Sequence, residues 1–173
     1  MAARLEPGAR VLDLGCGAGV PTAAQLAERF AVVGVDVSPV QLERARREVT
    51  SAAFLQADIA GLNFPDASFA GAVALYSLTH VPRELHADLF RRIARWLRPG
   101  GLFLGTLGAR GGADWRGDWL GVEMFFSSWD AEVNRRLLRD AGFELVHDEV
   151  VAIREPEGPA RFLWVLASTP PAG

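Results

Sequence analysis

The chain has 173 residues, half of them apolar and 23% charged, a balance that fits one folded domain with a sizeable core and excludes intrinsic disorder. Its net charge of −3 disfavours general nucleic-acid binding, and no apolar run approaches the ~20 residues of a membrane span. All 18 basic residues are arginine, which excludes a P-loop lysine and a Schiff-base lysine alike, and the one cysteine, Cys16, excludes an internal disulfide and suits a reducing cytoplasm.

In chain order, residues 10–14 predict a strand that runs into Asp13-x-Gly15-x-Gly17-x-Gly19, and residues 21–30 predict a helix with Pro21 at its start. A strand, a glycine turn and a helix place backbone N–H groups where a polar or anionic ligand group can meet them. The dinucleotide fingerprint G-x-G-x-x-G would need a glycine where Val20 stands. Residues 31–35 predict a second strand ending at Asp36. Ser38 caps the following helix, with Pro39 at its first position and Gln41 completing a capping box.

A short third strand, 52–56, ends before Asp58, and residues 61–68 form a loop. Residues 69–75, small and apolar throughout, read as a central parallel strand. A helix opening at Pro82 buries Leu85, Leu89, Ile93, Trp96 and Leu97 and stops at Arg98-Pro99-Gly100-Gly101, before a fifth strand at 102–107. His86 falls on the exposed side of that helix. Residues 108–127 show no clear periodicity, and a stretch of that length in a compact domain points to function. A helix at 128–140 and two strands at 143–151 and 162–168 close the chain, joined by a turn at 155–159. The expected fold is an α/β doubly wound sheet in one domain, 1–173, with the last strand pair antiparallel.

This order of features resembles class I S-adenosylmethionine (SAM) dependent methyltransferases over nearly the whole chain, most of all the small-molecule branch. The resemblance implies a Rossmann-like, mostly parallel sheet of order 3-2-1-4-5-7-6 with strand 7 antiparallel, and SAM, leaving as S-adenosylhomocysteine (SAH), across the ends of strands 1–4. It implies Asp13, Gly15, Cys16, Gly17 and Gly19 around the cofactor's amino-acid end, Asp36 and Val37 at the ribose, Gln41, Asp58 and Ile59 at the adenine, and Leu75 and Tyr76 beside the sulfonium. The plain alternatives are a turn-orienting Asp13, a solvated Asp36, a capping Asp58 and a Gln41 whose role ends with the capping box.

The resemblance further implies methyl transfer to O, N or C of a small molecule, with no metal, nucleic acid or membrane. Tyr76, His80, Trp115, Trp119 and Phe125 would line the acceptor site, with the plain alternative that these rings cover the sheet edge. His80 could take a proton from a hydroxyl acceptor, or serve only as a packing residue. Arg91, Arg92, Arg95 and Arg98 read as the solvated side of their helix. Family members usually carry cover helices before strand 1. The short segment here implies a truncated form, an open pocket, one closed by a homodimer partner, or a SAM-binding module without turnover.

Overall fold

The structure is a computed structural model and describes residues 3–112, 114–119, 121–155 and 158–172. Nine strands and four α-helices alternate as β1 (Arg10–Leu14), α1 (Thr22–Ala27), β2 (Ala31–Asp36), α2 (Pro39–Glu48), β3 (Ala53–Gln56), β4 (Phe69–Ala74), α3 (His86–Trp96), β5 (Leu97–Gly108), β6 (Trp115–Trp119), β7 (Val122–Phe126), α4 (Ala131–Asp140), β8 (Glu144–Glu155) and β9 (Gly158–Ser168). Seven strands form one sheet in the order β3-β2-β1-β4-β5-β9-β8. The first five are parallel, and β9 runs antiparallel to both β5 and β8. This is the expected topology, with the expected strands 6 and 7 now β8 and β9.

Alternation along the central strands divides the core in two. Leu12, Ala72 and Phe103 face α3 and α4, meeting Phe90, Ile93, Trp96 and Leu138. Val11, Val73 and Leu102 face the other side, where Ala23 of α1 packs with Leu5 and Phe30. β4 is buried along its whole length, as its small apolar residues require. Parallel crossovers leave the C-terminal ends of β1–β4 on one edge, the place where doubly wound sheets bind ligands.

The structure departs from the sequence expectation at several points. Trp115–Trp119 and Val122–Phe126 pair antiparallel as a hairpin, β6–β7, separate from the main sheet. Its strands are five residues long and β6 has Gly117 at its middle, too short a run for the alternation to stand out. α3 begins at His86, after a 3-10 turn at Arg83–Leu85, so Leu85 stays 42% exposed and His86 starts the buried stripe. α4 begins at Ala131, where the Asp130 carboxylate accepts from Val133 N at 2.8 Å. Part of the turn at 155–159 lies outside the described residues.

Candidate functional site

The glycine turn leaves β1 and is fastened from two sides. Gly15 N and Cys16 N donate to Val35 O at 2.8 and 3.0 Å, Gly19 N donates to Cys16 O at 2.9 Å, and Gly17 N donates to Asp36 Oδ2 at 2.9 Å. Four turn amides are therefore engaged within the fold. α1 is only six residues long, so its dipole is short. The expected set of backbone donors facing a ligand is corrected accordingly. A turn whose amides are already paired does not cradle a pyrophosphate, but it can carry a ligand that lies on bare backbone.

The three glycines serve different needs. A Cβ on Gly15 would fall on Ser77 Cβ, so Gly15 is small because Ser77 crosses from the end of β4 to donate its hydroxyl to Leu14 O at 2.6 Å. A Cβ on Gly19 would lie 3.2 Å from Ala45 Cβ and Val49 Cγ2 of the α2 segment, the third-glycine role of close helix packing. Gly17 has φ +54 and meets nothing within 4 Å. Its open face is where a ligand can lie against the chain.

Asp13 is 2% exposed, and its Oδ2 has no hydrogen-bond partner among the described residues. Burial, with the Asp36 charge adding to it, pushes its carboxyl up to about 7. Burial and the same two carboxylates push the Cys16 thiol up to about 12, so it is inert as a nucleophile. Asp36 closes β2 with both oxygens in use, Oδ1 accepting from Ser38 N at 2.9 Å and Oδ2 from Gly17 N. Each oxygen retains a further lone pair for a hydroxyl donor. Because Ser38 N has only one hydrogen, the expected capping box does not form. Ser38 Oγ accepts from Gln41 N at 3.3 Å, while Gln41's side chain is not its return partner.

Beside Asp36, Val37 is 67% exposed and its carbonyl accepts from Gln56 Nε2 at 3.2 Å. Asp58 caps the one-turn 3-10 helix Ile59–Gly61, Oδ1 accepting from Ala60 N at 2.8 Å, with its carboxylate exposed and Ile59 buried. The structure thus brings Asp13, Gly17, Asp36, Val37 and Asp58 to the edge formed by the ends of β1, β2 and β3.

At the end of β4, Leu75 is half-buried and Tyr76 adopts φ +58, a left-handed conformation that a tyrosine holds only when its surroundings impose it. Thr106 Oγ1 accepts from Tyr76 N at 2.5 Å, and the tyrosine ring stands edge-on to Phe162 and Trp164 of β9. His80 Nδ1 lies 2.8 Å from Phe125 O. A carbonyl can only accept, so Nδ1 carries the hydrogen and Nε2 keeps its lone pair, the tautomer a general base requires. The His80 ring also leans on Phe126 at 4.7 Å, which in turn meets Trp115 at 5.5 Å.

The hairpin is moored at both roots. Ser127 N donates to Thr79 O at 2.8 Å, Ser127 Oγ to Asp114 Oδ1 at 2.6 Å, and Arg83 N to Ser127 Oγ at 2.9 Å. Arg83 also donates to Gly112 O and lies over the Trp129 ring at 4.7 Å. His80 thus meets the Phe125 carbonyl and the Phe126 ring, with Trp115 on the Phe126 side of the hairpin, whereas the Phe125 ring lies on the opposite face under Arg116 and Tyr76 packs on β9. The Trp119 side chain lies outside what the structure describes. Sequence reasoning missed Ser77, Thr106, Arg83 and Ser127, whose bonds described above span 13 to 63 residues, beyond any local pattern.

Of the other two histidines, His86 differs from expectation and His147 lies in a late strand as expected. His86 is 2% exposed, not on the solvent face: its Nε2 lies 3.1 Å from Leu78 O and 3.0 Å from Val81 O, beneath the turn that carries His80. Burial lowers its pKa and keeps it neutral. His147 is exposed on β8. Arg92 is corrected too, since its side chain is only 13% exposed. No group of three metal-ligating side chains occurs among the described residues, and no helix among them is long and apolar enough to cross a membrane. A shallow groove of about 710 Å3 lies at the opposite end of the sheet, between α3 and the end of α4, and none of the glycine-turn residues lines it.

A family model described as "Methyltransferase domain" matches residues 11–101, more than half of the chain. The chain is 48% identical over 98 residues to a trans-aconitate 2-methyltransferase of Methylobacterium nodulans, a match covering 54% of this chain and 36% of that one, so it spans about a third of that curated relative. Its fold superposes with TM-score 0.85 on a SAM-dependent methyltransferase from Methanosarcina mazei, at 19% identity and covering 99% and 97% of the two chains. It also superposes, with TM-score 0.74 and 25% identity, on a Burkholderia thailandensis 1,6-didemethyltoxoflavin-N1-methyltransferase with bound 1,6-didemethyltoxoflavin and SAH, covering 97% and 74%. With the glycine turn, the two strand-end acids and the 3-2-1-4-5 sheet already in place, the chain belongs to the class I SAM-dependent methyltransferases.

Proposed function

We propose that this chain binds SAM across the ends of β1–β4 and directs its methyl group to O, N or C of a small-molecule acceptor. The observation that carries the reading is the convergence of Asp13, Gly17, Asp36 and Asp58 on one edge of the sheet, with open space over Gly17 and an unpartnered buried Asp13 oxygen. Paired turn amides fit a cofactor without phosphates. When bound, SAM supplies an electrophilic methyl on a sulfonium.

The chain's own residues do the rest. Asp36 accepts the ribose hydroxyls with its remaining lone pairs, Asp58 accepts the adenine amine, and Ile59 and Val37 cover the rings. Gly15, Cys16 and Gly19 shape the turn, Gln41 lies beside the adenine, and Leu75 and Tyr76 face the sulfonium. The acceptor sits against Tyr76, His80, Trp115, Trp119 and Phe125. Alignment is the main contribution, worth up to about 7–11 kcal/mol. For a hydroxyl acceptor, His80 Nε2 takes the proton as oxygen attacks, and the Phe125 carbonyl stabilises the imidazolium through Nδ1–H.

The reading extends to cytoplasmic placement. It extends also to a homodimer in which a second copy shields the open side near the glycine turn, where Val20, Val37 and Val40 are exposed. Calorimetry with SAH tests the core of it: folded protein with a Kd weaker than about 1 mM refutes the proposal. Tight SAH binding without transfer to any acceptor in a broad panel points instead to a binding module.

A further inference from the structure

Of the arginines expected on the solvated side, Arg91 and Arg95 are exposed on α3 and Arg98 is exposed in β5, beyond the end of that helix. Arg92 is not. Its Nη1 donates to Leu62 O at 2.5 Å and its Nη2 to Ala60 O at 2.8 Å, while Nε donates to Asp88 Oδ2 at 2.9 Å. The guanidinium also lies 5.9 Å from the centre of the Trp96 ring, and Trp96 Nε1 reaches Asn63 Oδ1 at 3.4 Å.

The two carbonyls that Arg92 takes belong to the end of the 3-10 turn Ile59–Gly61. Within that turn Gly61 N donates to Asp58 O and Leu62 N to Ile59 O, so the following carbonyls have no partner inside it. Asp58 binds the other end through Ala60 N. The turn is thus held between a carboxylate at its N-terminus and a guanidinium at its C-terminus, each complementing the local backbone charge. Only a planar fork spans two carbonyls and a carboxylate at once. A lysine ammonium is a single point of charge.

We propose that Arg92 is a positioning residue for adenine recognition, fixing the 59–61 turn from α3 so that the Asp58 carboxylate is presented to the exocyclic amine of the cofactor. The proposal rests on the cofactor site argued above. Asp58 Oδ1 accepts from Ala60 N, which makes Oδ2 the more available acceptor for the amine. Its direction is set by a three-residue turn with two backbone hydrogen bonds of its own. Without Arg92, the turn's two C-terminal carbonyls turn to water and the carboxylate loses its fixed aim.

The test compares SAH with its deaminated analogue, in which a keto oxygen replaces the adenine amine, on wild type, Arg92→Met and Arg92→Lys. If the competent turn falls to about a tenth of the population, SAH binds Arg92→Met about tenfold more weakly. The analogue, which turns a keto oxygen rather than the exocyclic amine towards Asp58, loses less, so the preference for SAH over the analogue collapses. Arg92→Lys gives an intermediate preference and serves if the methionine variant fails to fold. Melting curves establish the folded state of each variant. A folded variant that keeps the wild-type preference overturns the proposal, as does an equal loss for both ligands, which is the mark of a merely structural role. Wild type that binds neither ligand overturns the cofactor reading, and this proposal with it.

Discussion

Replacing Asp13 with Asn should remove a pH dependence that the wild-type fold carries. The Asp13 carboxyl titrates at about 7 in the folded chain, against an ordinary 3.8, because it is buried beside Asp36. Between those values the folded protein holds a proton that the unfolded chain has released. Stability from this group is therefore fully present at acid pH and is lost as pH rises towards 7. At about 1.4 kcal/mol per pH unit, the interval from pH 5 to 7 amounts to about 3 kcal/mol that wild type has at pH 5 and lacks at pH 8. His86 works in the opposite sense: its lowered pKa gives stability that is present above about 6.5 and lost as pH falls. Because His86 is common to both proteins, the difference between wild type and Asp13→Asn isolates Asp13. Urea unfolding at pH 5, 6, 7 and 8 measures that difference. A gap between the two proteins that stays flat within about 1 kcal/mol, or shifts in favour of wild type as pH rises, refutes the assignment of a protonated buried acid.

The two central glycines should separate stability from ligand binding. Gly15→Ala forces a Cβ onto Ser77 and costs about 3 kcal/mol or more in chemical denaturation. Gly17→Ala has open space and loses only about 1–2 kcal/mol of backbone strain, yet weakens SAH at least about tenfold by calorimetry, since the methyl enters the space the ligand needs. His80→Asn should lower kcat towards a hydroxyl acceptor by about 10²–10⁴-fold and leave the SAH Kd within about twofold, checked by steady-state kinetics. Arg83→Ala removes the bond to Gly112 O and the stacking on Trp129, so hydrogen exchange should speed up across Trp115–Phe126 and leave β1–β5 unchanged.

The sheet was legible because β1 and β2 are short apolar runs closed by Gly15 and Asp36, and β4 is small and apolar throughout. Asp13, Asp36 and Asp58 could be placed because the end of a strand is itself a position in the fold. What escaped the sequence depended on distance or on small counts. The β6–β7 hairpin alternates Trp115-Arg116-Gly117-Asp118-Trp119 for only five residues. A helix starting at Pro82 puts His86 on the solvent face, whereas the intervening 3-10 turn rotates the buried stripe. Arg92 shares a helix face with solvated arginines, and nothing local announces that its guanidinium ends on carbonyls 30 and 32 residues away. The capping box at Ser38 matched its pattern, but Asp36 took the amide the pattern needed.

The contact between His80 and the hairpin runs through the carbonyl of Phe125, and the neighbouring one joins Ser127 N to Thr79 O. Main-chain groups are the same whatever side chain they carry. The hydrogen bonds at the hairpin's root are in that sense indifferent to its sequence, and the Phe126 ring adds a side-chain contact to His80. On the proposed reading, variation directed to 115–125, with Phe126, Asp114, Ser127 and Arg83 left untouched, would alter the acceptor before it alters proton transfer at His80.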